Sequence, residues 1–123
     1  MKFELLSRIE NVKHLPVVIS KLFAGVSFKC GEDYYNKGKE REIGISFADL
    51  QKSLIAISKS KSKRIQGHLE VFYDSLGEVK GQTAHISKDY YNHNAIFKIE
   101  ISNDLKFEFD AEELLAVLEA FSD

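Results

Sequence analysis

Twice along this chain an alternating apolar run feeds straight into a helical one, and that junction restricts the fold more than any other feature. Leu105, Phe107 and Phe109 alternate with Lys106, Glu108 and Asp110, the period of two expected of a strand with one buried face. Leu114, Val117, Leu118 and Phe121 then recur at helical spacing, so the segment continues as an amphipathic helix. Asp110 is the predicted N-cap, accepting the backbone N–H of Glu113 in a capping-box arrangement. Glu112 and Glu113 suit the positive end of that helix. Ile43, Ile45 and Phe47 alternate in the same way through Ser46, which makes a second capping box with Asp49, and Leu50, Leu54 and Ile57 follow on one helical face. Two such junctions predict an α+β fold: an antiparallel β-sheet with a C-terminal helix and a second helix packed on it.

A near repeat accompanies the junctions. Asp33-Tyr34-Tyr35-Asn36 precedes Ile43-Gly44-Ile45-Ser46, and Asp89-Tyr90-Tyr91-Asn92 precedes Ile99-Glu100-Ile101-Ser102, at an offset of 89 − 33 = 56 residues. In that register Arg8-Ile9 falls on Arg64-Ile65, Gly25 on Gly81 and Ser27 on Thr83. The pattern predicts one domain over 1–123, divided by an internal repeat into 1–58 and 59–123, each half a strand-strand-helix unit. One mismatch stands out: Ser46 leads into a helix, whereas Ser102 is followed by an extra strand.

The second half supplies strands at about 64–73 and 78–87, joined by the turn Asp74-Ser75-Leu76-Gly77, and a third at 94–102. Asn103-Asp104 is a polar break. The first thirty residues are ambiguous: Leu5, Ile9 and Val12 fit a helix, Phe3 and Leu5 a strand, and 17–23 fits either. A strand is expected at 26–30. Residues 58–64, Ser-Lys-Ser-Lys-Ser-Lys-Arg, form a basic connector, read first as a solvated link and second as a phosphate-contacting patch.

At 123 residues, with 44% hydrophobic and 29% charged residues, the chain can bury one real core. A formal charge of −2 excludes an overall basic field, so a polyanion partner would need a local patch. The lone Cys30 points to a reducing compartment, hence a cytoplasmic location. No apolar run is long enough to predict a membrane span.

The Asp-Tyr-Tyr-Asn units read first as turn chemistry. As binding elements, Tyr34, Tyr35, Tyr90 and Tyr91, with Asp33 and Asp89, offer large, fairly rigid surface with polar tips. The four histidines lack zinc spacing. His68 and His85 are expected to approach across the hairpin that turns near Ser75, with Glu70 on the same face as His68. A two-histidine, one-carboxylate site is weighed there against a plain solvent face. Cys30 reads as a small buried side chain. With no nucleophile elbow and no phosphate loop in the sequence, the expectation is no enzyme, no cofactor and no metal.

The closing segment from Leu105 to Leu115, with the antiparallel strand run and the chain's size, resembles small bacterial immunity proteins, cytoplasmic inhibitors that neutralise toxin domains of contact-dependent and other polymorphic toxin systems. The resemblance implies a non-enzymatic protein whose partner is a toxin domain bound by surface complementarity. No family residue is carried over by position; the two tyrosine segments are the candidate contacts. A second resemblance is to PUR-repeat single-strand binders, whose repeats have four strands and a helix and pair into one domain. It implies tyrosines stacking on bases, with Lys59, Lys61, Lys63 and Arg64 meeting phosphates. The sequence ranks the toxin partner above nucleic acid, and a small enzyme or ligand-binding domain using His68, His85 and Glu70 last.

Overall fold

The computed structural model describes residues 1–9, 13–34, 39–60, 67–77, 79–101 and 105–122. The strands are β1 (Lys2–Ile9), β2 (Lys13–Lys21), β3 (Gly25–Cys30), β4 (Arg41–Ser46), β5 (Gly67–Asp74), β6 (Thr83–Tyr91), β7 (Asn94–Ile101) and β8 (Leu105–Asp110). Helix α1 (Phe47–Lys59) follows β4 and α2 (Ala111–Phe121) follows β8. The element order is therefore four strands and a helix, twice. All eight strands form one antiparallel sheet in sequence order. This is the α+β class read from the junctions.

The ambiguous N-terminal segment resolves into strands. In the β1–β2 pair, Phe3 lies opposite Ile19 and Leu5 opposite Val17, so one face of both strands turns to the core. That cross-strand match outweighs the helical spacing of Leu5 and Ile9.

The sheet curls until its two ends meet. Phe28 of β3 stacks on Phe107 and Phe109 of β8, with ring centroids 5.6 and 6.0 Å apart. The end strands β1 and β8 are joined by side chains. The Glu108 N–H donates to Ser7 Oγ at 2.8 Å, and the Tyr34 hydroxyl donates to the Lys106 carbonyl at 2.7 Å while hydrogen-bonding Ser7 Oγ. Leu50, Leu54 and Ile57 of α1, with Leu114, Val117, Leu118 and Phe121 of α2, join the same core cluster. Lys21 of β2 donates from Nζ to the Phe121 carbonyl at 2.6 Å, placing a cation at the negative end of α2.

Two sequence expectations need correction. The helix N-caps Ser46 and Asp110 stand 110 − 46 = 64 residues apart, whereas the sequence match runs at 56. The match thus lays β4 on β7, the fourth strand of one half on the third of the other. This is why Ser102 is followed by another strand; the strand-strand-helix half becomes four strands and a helix. The second correction concerns capping. Ser46 Oγ accepts from the Asp49 N–H at a long 3.5 Å, but Asp110 makes no side-chain cap hydrogen bond. Its contribution at that terminus reduces to charge at the positive helix end.

Candidate binding surface

The second Asp-Tyr-Tyr-Asn unit is not a loop before a strand. Asp89, Tyr90 and Tyr91 end β6, and Asn92 and His93 form a two-residue hairpin turn to Asn94, with φ of 48° and 70°. A turn with two positive φ values matches the twist of the flanking strands. Along β6, Ala84, Ile86 and Lys88 are buried on one face. Tyr90 follows them at the same period of two, but it sits near the end of the hairpin and is 43% exposed.

Lys88 explains how this hairpin is placed. It is buried, its Nζ donates to the Ser60 carbonyl at 2.6 Å, and the same Nζ lies 5.6 Å from the centre of the Tyr90 ring. Ser60 is the C-cap of α1, and its N–H bonds the Ile57 carbonyl at 3.2 Å. An ammonium at a helix C-terminus is electrostatically favourable. Geometrically, Lys88 ties the exposed tyrosine to Ser60, within the basic stretch 58–64. Lys61, Lys63 and Arg64 lie outside the described residues.

The outer face beside the hairpin is charged. Asp89 pairs with Lys98 at 3.1 Å, and Lys98 also reaches Glu108 at 3.5 Å, so a row of charges crosses β6, β7 and β8. Burial opposes the Lys98 charge, but Asp89 and Glu108 outweigh it and raise the ammonium's pKa. Tyr91 is half-buried, and the Arg8 guanidinium lies 4.0 Å over its ring, a cation–π contact from β1.

The first unit has a different fate. Glu32–Tyr34 is a single 3-10 turn, and Tyr34 is only 7% exposed. Its ring packs on Phe107 at 5.4 Å, and its hydroxyl holds the β1–β8 seam. Burial pushes its pKa up despite the Ser7 hydrogen bond. The expectation of a surface-presented Tyr34 is corrected accordingly: the residue is core. Tyr35 lies outside the described residues, as does the side chain of Asp33. Cys30 is buried as expected, and burial pushes its thiol to about 11 against the lowering influence of Arg41.

Sequence reasoning missed Lys88 and a second aromatic surface. Phe72 and Tyr73 of β5 are 47% and 41% exposed. A Cβ built on Gly25 would stand 2.4 Å from Phe72 Cζ, and one on Gly44 would stand 3.0 Å from it. Phe72 therefore lies across the two glycines on neighbouring strands, and only residues without a Cβ leave it that room. The period of two in β6 already put Lys88 with Ala84 and Ile86. The Phe72 seat had no local signal, because the glycines belong to β3 and β4.

His68 and His85 do approach, as direct cross-strand partners with ring centroids 4.6 Å apart. Glu70 lies opposite Thr83. Among the described residues, no group of three or more His, Cys, Asp or Glu side chains is placed to hold a metal ion, so the two-histidine, one-carboxylate arrangement is not assembled. Among the same residues, no helix is long and apolar enough to cross a membrane. Comparison with known proteins gave no matching family model, no matching curated protein and no matching solved structure.

Proposed function

We propose that this chain is a non-enzymatic binding module for single-stranded nucleic acid. The observation that carries the reading is the corner where Lys88 links the exposed Tyr90 to Ser60 at the end of α1, within the basic stretch 58–64. An exposed ring for stacking and a basic segment to meet phosphates are the minimal apparatus for sequence-tolerant single-strand binding, and the basic segment leaves α1 at Ser60, where Lys88 bonds. The element order of four strands and a helix, twice, agrees with what the PUR resemblance implies. With a net charge of −2, attraction to a polyanion depends on a local patch and not on an overall field, and binding through it weakens steeply with salt.

The test is fluorescence anisotropy of a labelled single-stranded oligonucleotide titrated with the whole chain at low and at physiological salt. Tyr90→Ala is expected to cost roughly 1–3 kcal/mol, the usual worth of one stacked base. Replacing Lys61 and Lys63 by Ala flattens the salt dependence by about two phosphate contacts. Absence of binding at low salt overturns the reading.

A second reading keeps the toxin partner that the sequence ranked first: an immunity protein that neutralises a bacterial toxin domain. Its support is the Phe72–Tyr73 pair on the outer sheet face, since exposed aromatics on a rigid strand are typical anchors of protein interfaces. Copurification of a tagged chain from its native host discriminates the two. A stoichiometric toxin fragment that is lost with Tyr73→Ala favours the protein partner; recovery of nucleic acid that is lost with Tyr90→Ala favours the first.

A further inference from the structure

The outer face of the sheet carries a pair of imidazoles that neither reading uses. His68 of β5 is exposed and His85 of β6 half-buried; they face each other across the ladder with ring centroids 4.6 Å apart and planes inclined by 46°. Two nitrogens ligating one ion at about 2.0–2.1 Å each stand no more than about 4.2 Å apart. Rings already 4.6 Å apart meet that condition by side-chain rotation alone. Both are carried on paired strands, so the backbone holds the donors in place before any ion arrives.

We propose that His68 and His85 chelate one borderline divalent transition ion, of the zinc, nickel or copper kind, with water in the remaining positions. Imidazole nitrogen suits these ions, whereas magnesium and calcium demand oxygen ligands. The surrounding charge is balanced towards a cation. Glu100 lies directly opposite His85 on β7, Glu70 stands two residues along β5 from His68, and Asp49 lines the groove beside His68, against Lys52 in that groove and Lys106 opposite Glu100. With only two protein donors, the ion stays open to an outside ligand.

Isothermal titration of the whole chain with nickel chloride and zinc chloride tests the site. One ion per chain is expected, with affinity reduced about tenfold or more by His68→Ala or His85→Ala and unchanged by His14→Ala or His93→Ala. Magnesium chloride should give no binding heat. Failure to bind nickel and zinc overturns the proposal, as does binding that survives both His68→Ala and His85→Ala. A second measurement needs no variant: substoichiometric copper should broaden the imidazole proton signals of His68 and His85 first. Broadening centred on His14, His93 or the N-terminal amine also overturns it.

Discussion

Identical residues in this chain meet opposite fates, and the cause is the strand each one neighbours. Tyr34 and Tyr90 occupy matching places in the two Asp-Tyr-Tyr-Asn units, yet one closes a seam in the core and the other stands at the end of a hairpin. The turn beside Tyr90 carries a residue-scale cost. His93 sits at φ 70°, where a side chain is disfavoured by about 1–2 kcal/mol and glycine is not. His93→Gly is expected to raise stability by up to about 1 kcal/mol, read as a higher urea midpoint with an unchanged slope. The sequence marked this turn through Asn92, the last residue of a unit read as turn chemistry. Nothing local showed that His93 would adopt the left-handed conformation.

At the scale of elements, β4 and the end of β5 are locked by a buried ion pair. Arg41 Nη2 donates to Asp74 Oδ2 at 2.9 Å, with side-chain exposures of 3% and 5%. Asp74 also accepts from the Leu76 N–H and from Gln82 Nε2, each at 3.0 Å. Burial alone would raise the Asp74 pKa, but the hydrogen bonds from Arg41, Leu76 and Gln82, together with the Arg41 charge, outweigh it and hold the carboxyl below its usual range. A carboxylate with a lowered folded pKa contributes stability that is fully present above its unfolded pKa of about 3.9 and is lost as pH falls through the folded value. The stability gap between wild type and Asp74→Asn should therefore be constant from neutral pH to about pH 5 and shrink below about pH 4, in urea titrations at stepped pH. Arg41→Met strands the carboxylate and is expected to cost about 3–5 kcal/mol at neutral pH. The sequence read Asp74 as a turn residue, which it is. Its partner 33 positions away was invisible, because arginine at the start of a strand ordinarily points to water.

On the scale of the whole molecule, a hydrogen-bonded group holds the seam that closes the sheet. Ser7 and Tyr34 bridge β1 to β8, so Tyr34→Phe removes the donor to the Lys106 carbonyl and the partner of Ser7. Unsatisfied buried groups cost about 1–3 kcal/mol, and the loss falls at the seam. Amide exchange at Glu108, whose N–H bonds Ser7 Oγ, should accelerate ahead of the β6 and β7 amides; equal acceleration everywhere would mean that the seam is not a local unit. The sequence by itself determined the two strand-to-helix junctions, both helices and the four strands of the second half, because periods of two and 3.6 are written in adjacent residues, but not the bounds of β6, which runs over Thr83–Tyr91 where 78–87 was expected. It also nominated the His68–His85 approach, although the expected four-residue turn at 74–77 would set His68 against Thr83, and the longer connection between Asp74 and Thr83 supplies the observed register. Only the tertiary structure decided that Lys2–Ile9 and Lys13–Lys21 are strands, that Tyr34 is core, and that Lys88 links Tyr90 to the end of α1 at Ser60. Those outcomes depend on partners 27, 28 and 101 positions apart along the chain, and the local pattern of a sequence holds no record of which distant strand will arrive alongside.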